Sequence, residues 1–206
     1  MKVEVRPRFI LASHNAGKLA EVVAILGDVA EVIGLAAFPA LTLPREEGAT
    51  YEENAVAKAR AVARASRVPA LADDSGLEVA ALGGAPGVYS NRYAGPACEP
   101  AANNAKLLRE LADVAEAERR AKFVCVAALV APDGREWLAR GEVAGRITSG
   151  PRGAAGFGYD PLFVPEGEGR TFAQMTAAEK NALSHRARAF EKLRRYIVEL
   201  ALAEKG

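Results

Sequence analysis

The chain has only two cysteines, Cys98 and Cys125, among 206 residues. That is too few for a disulfide scaffold, and the pair makes no Cys-x-x-Cys unit of the kind that holds zinc. No apolar run approaches the length that spans a bilayer. The opening MKVEVRPRFILASHN has no apolar stretch followed by a small-residue cleavage site. The expectation is a cytoplasmic protein with no membrane partner. Neither sign of charge dominates: 27 Lys and Arg stand against 26 Asp and Glu, a formal net charge of +1. This balance gives no support for bulk nucleic-acid binding, so an anionic ligand must be met by a local cluster of cations. Aromatic residues are scarce at 6%, and no internal repeat, low-complexity tract or linker interrupts the chain. What remains is ordinary for a globular protein, half hydrophobic and about a quarter charged, and a single domain over 1–206 is expected.

What is present concentrates between Ala70 and Gly95, in ALADDSGLEVAALGGAPGVYSNRYAG. A short apolar run, Val68 to Ala72, reads as a buried strand that stops at two adjacent carboxylates, Asp73 and Asp74, followed by Ser75 and Gly76. Successive strand side chains point to opposite faces, so at most one Asp follows the core side if the strand continues through both. The other is expected to face outward, at the carboxyl end of a strand, where α/β proteins bind ligands. Taken alone, the Asp-Asp-Ser-Gly piece also fits an Asx turn. Gly83, Gly84 and Gly87 with Pro86 read as a tight loop, and Val88 to Tyr93 then sets two aromatics beside Arg92.

Two further strand–loop–helix passages surround this stretch. The first apolar run, Phe9 to Ala12, ends in Ser13-His14-Asn15-Ala16-Gly17-Lys18, after which Leu19, Val22, Val23 and Leu26 keep helical spacing. Strand, small polar loop and helix start is the geometry that turns backbone N–H groups toward an anion. The glycine and Ser/Thr positions of a Walker A loop are missing. Lys18 sits in a first helical turn, where the dipole favours negative charge, and a bound phosphate would supply it. Thr50-Tyr51-Glu52-Glu53 fits a capping box opening an Ala-rich helix to Ser66, on which Asn54 and Lys58 share a face. Val29 to Leu35 is a strand, Pro100 to Leu111 a helix, and Phe123 to Ala131 a central strand. Pro132-Asp133-Gly134 turns it into a hairpin through Ile147. The Gly- and Pro-rich loop from Thr148 to Gly158 leads through Phe157-Gly158-Tyr159-Asp160-Pro161 to a strand at Leu162 to Val164. Thr176 to Glu179 is a second capping box, and His185 and Arg186 open the last helix, with Phe190, Leu193, Ile197, Leu200 and Ala201 on its buried stripe.

Five of these pieces together resemble the inosine triphosphate pyrophosphatase family, the Ham1-like non-canonical purine nucleotide enzymes. They are Ser13 to Lys18, Thr50 to Ala55, Ala72 to Tyr93, Phe157 to Pro161 and Ser184-His185-Arg186. The resemblance covers nearly the whole chain, in the family's order and spacing. It implies an α/β fold, an elongated mixed twisted sheet flanked by helices, with two lobes around a central cleft, and a homodimer. It also implies Mg²⁺-dependent hydrolysis of dITP, ITP or XTP to the monophosphate and pyrophosphate. Residue by residue, Ser13, His14, Asn15, Ala16, Gly17, Lys18 and Lys58 would bind the triphosphate, with Asn54 beside them. Glu46 and Asp74 would hold Mg²⁺, and Asp74 would accept the proton of the attacking water. Asp73 would support it, and Ser75 would touch substrate. Phe157, Gly158, Tyr159, Asp160, Lys180, His185 and Arg186 would take the base. Many members read Glu-Glu-Thr-Gly where this chain has Arg45-Glu46-Glu47-Gly48, so Glu47 rivals Glu46 as the metal ligand. Two other readings are a Maf-like nucleotide pyrophosphatase of different base specificity and a nucleotide-binding module without catalysis. The first lacks the Phe-Gly-Tyr-Asp and Ser-His-Arg pieces. The second leaves the Lys18, Glu46, Lys58 and Asp74 set without a task.

Overall fold

The computed structural model describes residues 6–203. Its elements run β1 (Arg8–Leu11), α1 (Ala16–Leu26), β2 (Glu31–Gly34), α2 (Tyr51–Ser66), β3 (Ala70–Val79) and α3 (Pro100–Glu110). They continue with β4 (Arg120–Val130), β5 (Glu136–Ile147), β6 (Phe163–Pro165), α4 (Ala177–Leu183) and α5 (His185–Ala203). Among the described residues the strands form one six-stranded sheet in the order β2-β1-β3-β4-β5-β6. β1 pairs in parallel with β2 and with β3, whereas β5 and β6 are antiparallel. This is the mixed α/β sheet with flanking helices that the sequence predicts. The chain divides into two compact units. The first draws on Met1–Asp74, Val126–Gly141 and Arg186–Gly206, the second on Ser75–Cys125 and Glu142–His185.

In the first unit β1 lies between two strands, and Phe9, Ile10 and Leu11 are all buried, as a parallel strand covered on both faces requires. α1 starts at Ala16, before the apolar period begins, because Asn15 caps it by accepting the Lys18 N–H at 3.0 Å. Leu19 packs onto β2 at Gly34, where a Cβ would stand 2.6 Å from Leu19 Cδ2. α2 opens with both halves of its capping box: Thr50 Oγ1 accepts the Glu53 N–H at 3.2 Å, and Glu53 Oε2 accepts the Thr50 N–H at 3.3 Å. Its buried residues Ala55, Ala59, Val62 and Ala63 are small, which lets the helix lie close against its neighbours.

β3 departs from the expectation. The strand does not stop at the aspartates but runs on through Asp73, Asp74, Ser75 and Gly76 to Val79. Both carboxylates are buried, Asp73 at 1% and Asp74 at 6% exposure, so neither faces open solvent. The physical reason is that each is met by cations from other elements, described below.

The second unit builds its core from Leu77 and Val79 of β3, Leu107 and Leu111 at α3, and an aromatic group. Phe123 and Phe163 lie 4.6 Å apart between centroids, and Phe163 and Phe172 lie 5.3 Å apart. Each such ring buried from water contributes roughly 1.5–3 kcal/mol. Asn103 ties the start of α3 to the preceding turn, accepting the Ala94 N–H at 2.7 Å and donating to the Asn91 carbonyl at 2.9 Å.

The capping box gives a direct test of local stability. Thr50→Ala is expected to cost about 1 kcal/mol, lowering Tm by about 2–4 °C in a protein of this size. A thermal melt followed by circular dichroism measures it, and an unchanged Tm would show that the cap contributes nothing to the fold.

Candidate active site

Lys58 is the centre of the first unit's polar cluster. It lies on α2 at 5% exposure, two turns after the cap. Its ammonium is 2.5 Å from Glu46 Oε1 and 3.6 Å from Asp74 Oδ1. Asn54, one turn earlier on the same face, donates from Nδ2 to Asp74 Oδ2 at 3.0 Å and accepts the Gly48 N–H on Oδ1 at 2.9 Å. One amide therefore holds both the strand carboxylate and the loop that carries Glu46. Gly48 is needed for this approach, since a Cβ there would sit 2.6 Å from Asn54 Oδ1. Glu47 is exposed, and among the described residues its side chain has no hydrogen bond or ion pair. Of the two glutamates, only Glu46 is brought to Lys58.

Burial raises the Asp74 pKa above the ordinary carboxylate value, and nearby Glu46 pushes the same way. Lys58, Lys18 and the Asn54 hydrogen bond lower it only in part. For Lys58 burial works against the charged form, but Asp74, Glu46 and Asp73 outweigh it, and its pKa is raised. The ammonium keeps its proton, and Asp74 stays the carboxylate with affinity for another.

Asp73 points the other way along the strand. Its Oδ2 takes Lys18 Nζ at 3.0 Å, Arg186 Nη2 at 3.1 Å and Arg186 Nε at 3.3 Å. Arg186 Nη1 also bonds Glu21, one turn after Lys18 on α1. Arg186 is 1% exposed at the start of α5. The structure therefore brings Ser13 to Lys18, Asp73 and Arg186 into one network, with Ser13 Oγ accepting the Asn15 N–H at 3.2 Å. His14, Asn15 and Ala16 are exposed, while Ser13, Gly17 and Lys18 are half-buried.

In the second unit Asp160, at 2% exposure, accepts the Phe157 N–H at 2.8 Å and Lys180 Nζ at 2.5 Å on the same Oδ2. Lys180 also stands 4.6 Å from the centroid of the Phe157 ring, a cation–π contact. Gly156 makes room for this carboxylate, because a Cβ there would lie 2.1 Å from Asp160 Oδ2. Tyr159 is buried and donates to the Ser90 carbonyl at 2.9 Å. His185 is buried and stacked on Phe123 at 4.6 Å and 8° between planes. Ser75 follows Asp74 on β3, half-buried. Two contributors escape the sequence reading. Glu21 reads there as one more polar residue beside an apolar helical stripe. Asn104 donates to the Gly158 carbonyl at 3.0 Å from a helix 54 residues earlier, a contact that no local pattern signals.

No group of three or more His, Cys, Asp or Glu able to hold a metal converges among the described residues. Glu46 and Asp74 do approach one point, the Lys58 ammonium. Two hard carboxylates fit Mg²⁺, which takes one or two such ligands and completes its shell with water and substrate phosphates.

Buried ion pairs, an anion-facing helix start and a carboxylate held proton-seeking define an α/β protein with a site suited to a charged, phosphate-bearing ligand. The sequence model of the Ham1 family matches residues 9–196, and the chain belongs to that family. It is similar to the dITP/XTP pyrophosphatase of Streptomyces avermitilis, 48% identical over 196 residues, covering 94% of this chain and 98% of the relative. The dITP/XTP pyrophosphatase of Deinococcus deserti is 52% identical over 185 residues, covering 89% and 86%. Among solved structures, the HAM1 protein of Coxiella burnetii superposes with a TM-score of 0.83 at 41% identity, over 94% of this chain and 99% of that one.

The direction of the Asp74 shift makes a stability prediction. A carboxyl with its pKa raised on folding contributes stability present at low pH, which is lost as pH rises through its folded pKa. At neutral pH the ionised Asp74 is thus a net cost to the fold. Asp74→Asn in Mg²⁺-free buffer is expected to melt higher than the parent at pH 7, with the gain shrinking as pH falls through the carboxylate range. A variant that melts lower at pH 7 would show that the Lys58 pair outweighs the burial of Asp74.

Proposed function

We propose that the protein hydrolyses non-canonical purine nucleoside triphosphates, ITP, dITP and XTP, to the monophosphate and pyrophosphate. The observation that carries this reading is the Glu46–Lys58–Asp74 cluster, locked by Asn54, beside a helix start that carries Lys18. The names of the relatives point to the same reaction. Asp74 accepts the proton of the attacking water; its raised pKa makes it a stronger base than an ordinary carboxylate. Lys18 and Lys58 offset the negative charge that grows on the leaving pyrophosphate, and the Ser13-to-Gly17 loop binds the phosphates from its backbone. Glu46 and Asp74 would hold Mg²⁺, which when bound supplies a Lewis acid to the phosphoryl oxygens. Asp73 positions Lys18 and Arg186, and Ser75 is a further substrate contact.

Base choice is assigned to Phe157, Gly158, Tyr159, Asp160, Lys180, His185 and Arg186. Hypoxanthine and xanthine present an O6 acceptor where adenine presents an N6 amino donor. Cationic donors satisfy the first and leave the second unpaired. The support is that Asp160 fixes both Lys180 and the Phe157 backbone within one buried group. Action in the cytoplasm as a homodimer completes the proposal. It rests on the family resemblance, and no described helix is long and apolar enough to cross a membrane.

Pyrophosphate release from ITP and ATP, with and without Mg²⁺, tests the reading. ITP is expected to turn over only with Mg²⁺, and ATP far more slowly. Asp74→Asn should lower kcat by about a hundredfold or more, the scale of a lost general base. Glu46→Gln should be more damaging than Glu47→Gln. Equal turnover of ATP and ITP would remove the base selectivity, and normal turnover by Asp74→Asn would remove the assigned base.

A further inference from the structure

Three arginines near the end of α2 have no part in this chemistry. Arg60 and Arg64 stand at i and i+4 on one face of α2, and Arg67 caps the helix immediately after its last turn. With the hairpin between β4 and β5 they line a groove of about 480 Å³. Both carboxylates in that lining already accept hydrogen bonds from an arginine. Glu136 accepts from Arg60 Nε at 2.7 Å and Nη2 at 2.9 Å, a bidentate fork. Asp133 accepts the Arg135 backbone N–H at 3.0 Å and its Nε at 2.7 Å. Among the described residues, the side chains of Arg64 and Arg67 have no hydrogen bond or ion pair. Glu136 also feels the Arg64 charge, so the groove sets three guanidinium groups against two carboxylates, each of which already accepts hydrogen bonds from an arginine.

The backbone of Arg67 is a second, independent observation. It caps α2 in the left-handed region, at φ 60° and ψ 21°. Glycine is the usual occupant of that position, and a long side chain there is conformationally costly. Cations near a helix C-terminus complement its dipole, but Arg64 in the last turn already does so. Dipole complementation does not call for an arginine at the one residue where the turn favours glycine.

We propose that this groove binds a small phosphate-type oxyanion, inorganic phosphate or pyrophosphate, gripped by Arg64 and Arg67. Guanidinium forks match tetrahedral oxyanions and deliver charge and hydrogen bonds together. The Arg60–Glu136 fork fixes the groove wall. A free anion fits better than a nucleic-acid backbone, because the chain as a whole carries only +1 and offers no extended basic surface on that account. The site shares no residue with the Lys58 cluster and does not depend on the reaction proposed above.

The test is calorimetric titration of the full chain with inorganic pyrophosphate in metal-free, low-salt buffer. The parent is expected to show a binding event that weakens about tenfold or more in the Arg64→Gln/Arg67→Gln double variant. Arg67→Gly should separate ligand binding from structure. It is expected to raise Tm by about 1–3 °C by relieving the left-handed backbone, while pyrophosphate binding weakens. Identical titrations for the parent and the double variant would overturn the proposal. So would a fall in Tm for Arg67→Gly, which would make the arginine a structural residue. Binding of a single-stranded RNA that the double variant loses, with pyrophosphate binding unchanged, would also overturn it by giving the groove a different ligand.

Discussion

Two carboxylates side by side in a buried strand set the terms for the first unit. Strand geometry turns Asp73 and Asp74 to opposite faces, and neither can reach solvent. An isolated buried charge is expensive to take out of water unless it is paired. Each aspartate must therefore find its own partners, and they come from different helices. Asp73 draws Lys18 from α1 and Arg186 from α5, while Asp74 draws Lys58 and Asn54 from α2. Two adjacent residues thereby fix the placement of three helices. The loops leading into α1 and α2 carry Ser13 to Asn15 and Glu46, which the proposed chemistry uses.

Both units solve the positioning of a lysine in the same way. A buried carboxylate takes the ammonium, a loop is tied to the same group, and a glycine stands where a Cβ would block the approach. In the first unit these parts are Asp74 and Glu46 on Lys58, with Gly48 against Asn54. In the second they are Asp160 on Lys180 and on the Phe157 N–H, with Gly156 beside them. Charge held this way needs little reorganisation when a ligand arrives, which is the condition for strong electrostatic stabilisation.

Much of this was legible in the chain because the signals are local. The Thr50–Glu53 capping box and the Pro132-Asp133-Gly134 turn each depend on residues within a few positions, and each stands as read, as does the helical period of α1 except that Val23 is exposed. The i, i+4 pairing of Asn54 and Lys58 likewise announced a shared face. What sequence could not supply is the partner across distance. Asp73 and Asp74 read as a strand end because two adjacent charges seem incompatible with a buried strand. The cations that make Asp73 tolerable, Lys18 and Arg186, come from distant helices, the second 113 residues away. Glu21 was invisible for the same reason, since only the folded chain brings Arg186 to it. Which of Glu46 and Glu47 reaches Lys58 also needed geometry, because adjacent glutamates in a loop carry no phase that marks one as inward.

The two aspartates also show how one strand can separate structural and chemical roles. Asp73 receives Lys18 and both an Nε and an Nη of Arg186 on a single oxygen. Its charge is answered more than once, by cations from two different helices. Asp74 shares one ammonium with Glu46, and that second carboxylate adds to the burial that favours protonation. The same side chain type, one residue on, is thus left able to accept a proton. Alternation along the strand produces the difference, since it delivers one carboxylate to two cations and the other to a cation already claimed. A single-residue change of register would carry one aspartate into the other's environment and bring a neutral neighbour, Ala72 or Ser75, into the place it left, so which aspartate is the proposed base is a consequence of β3 pairing as much as of the residue itself.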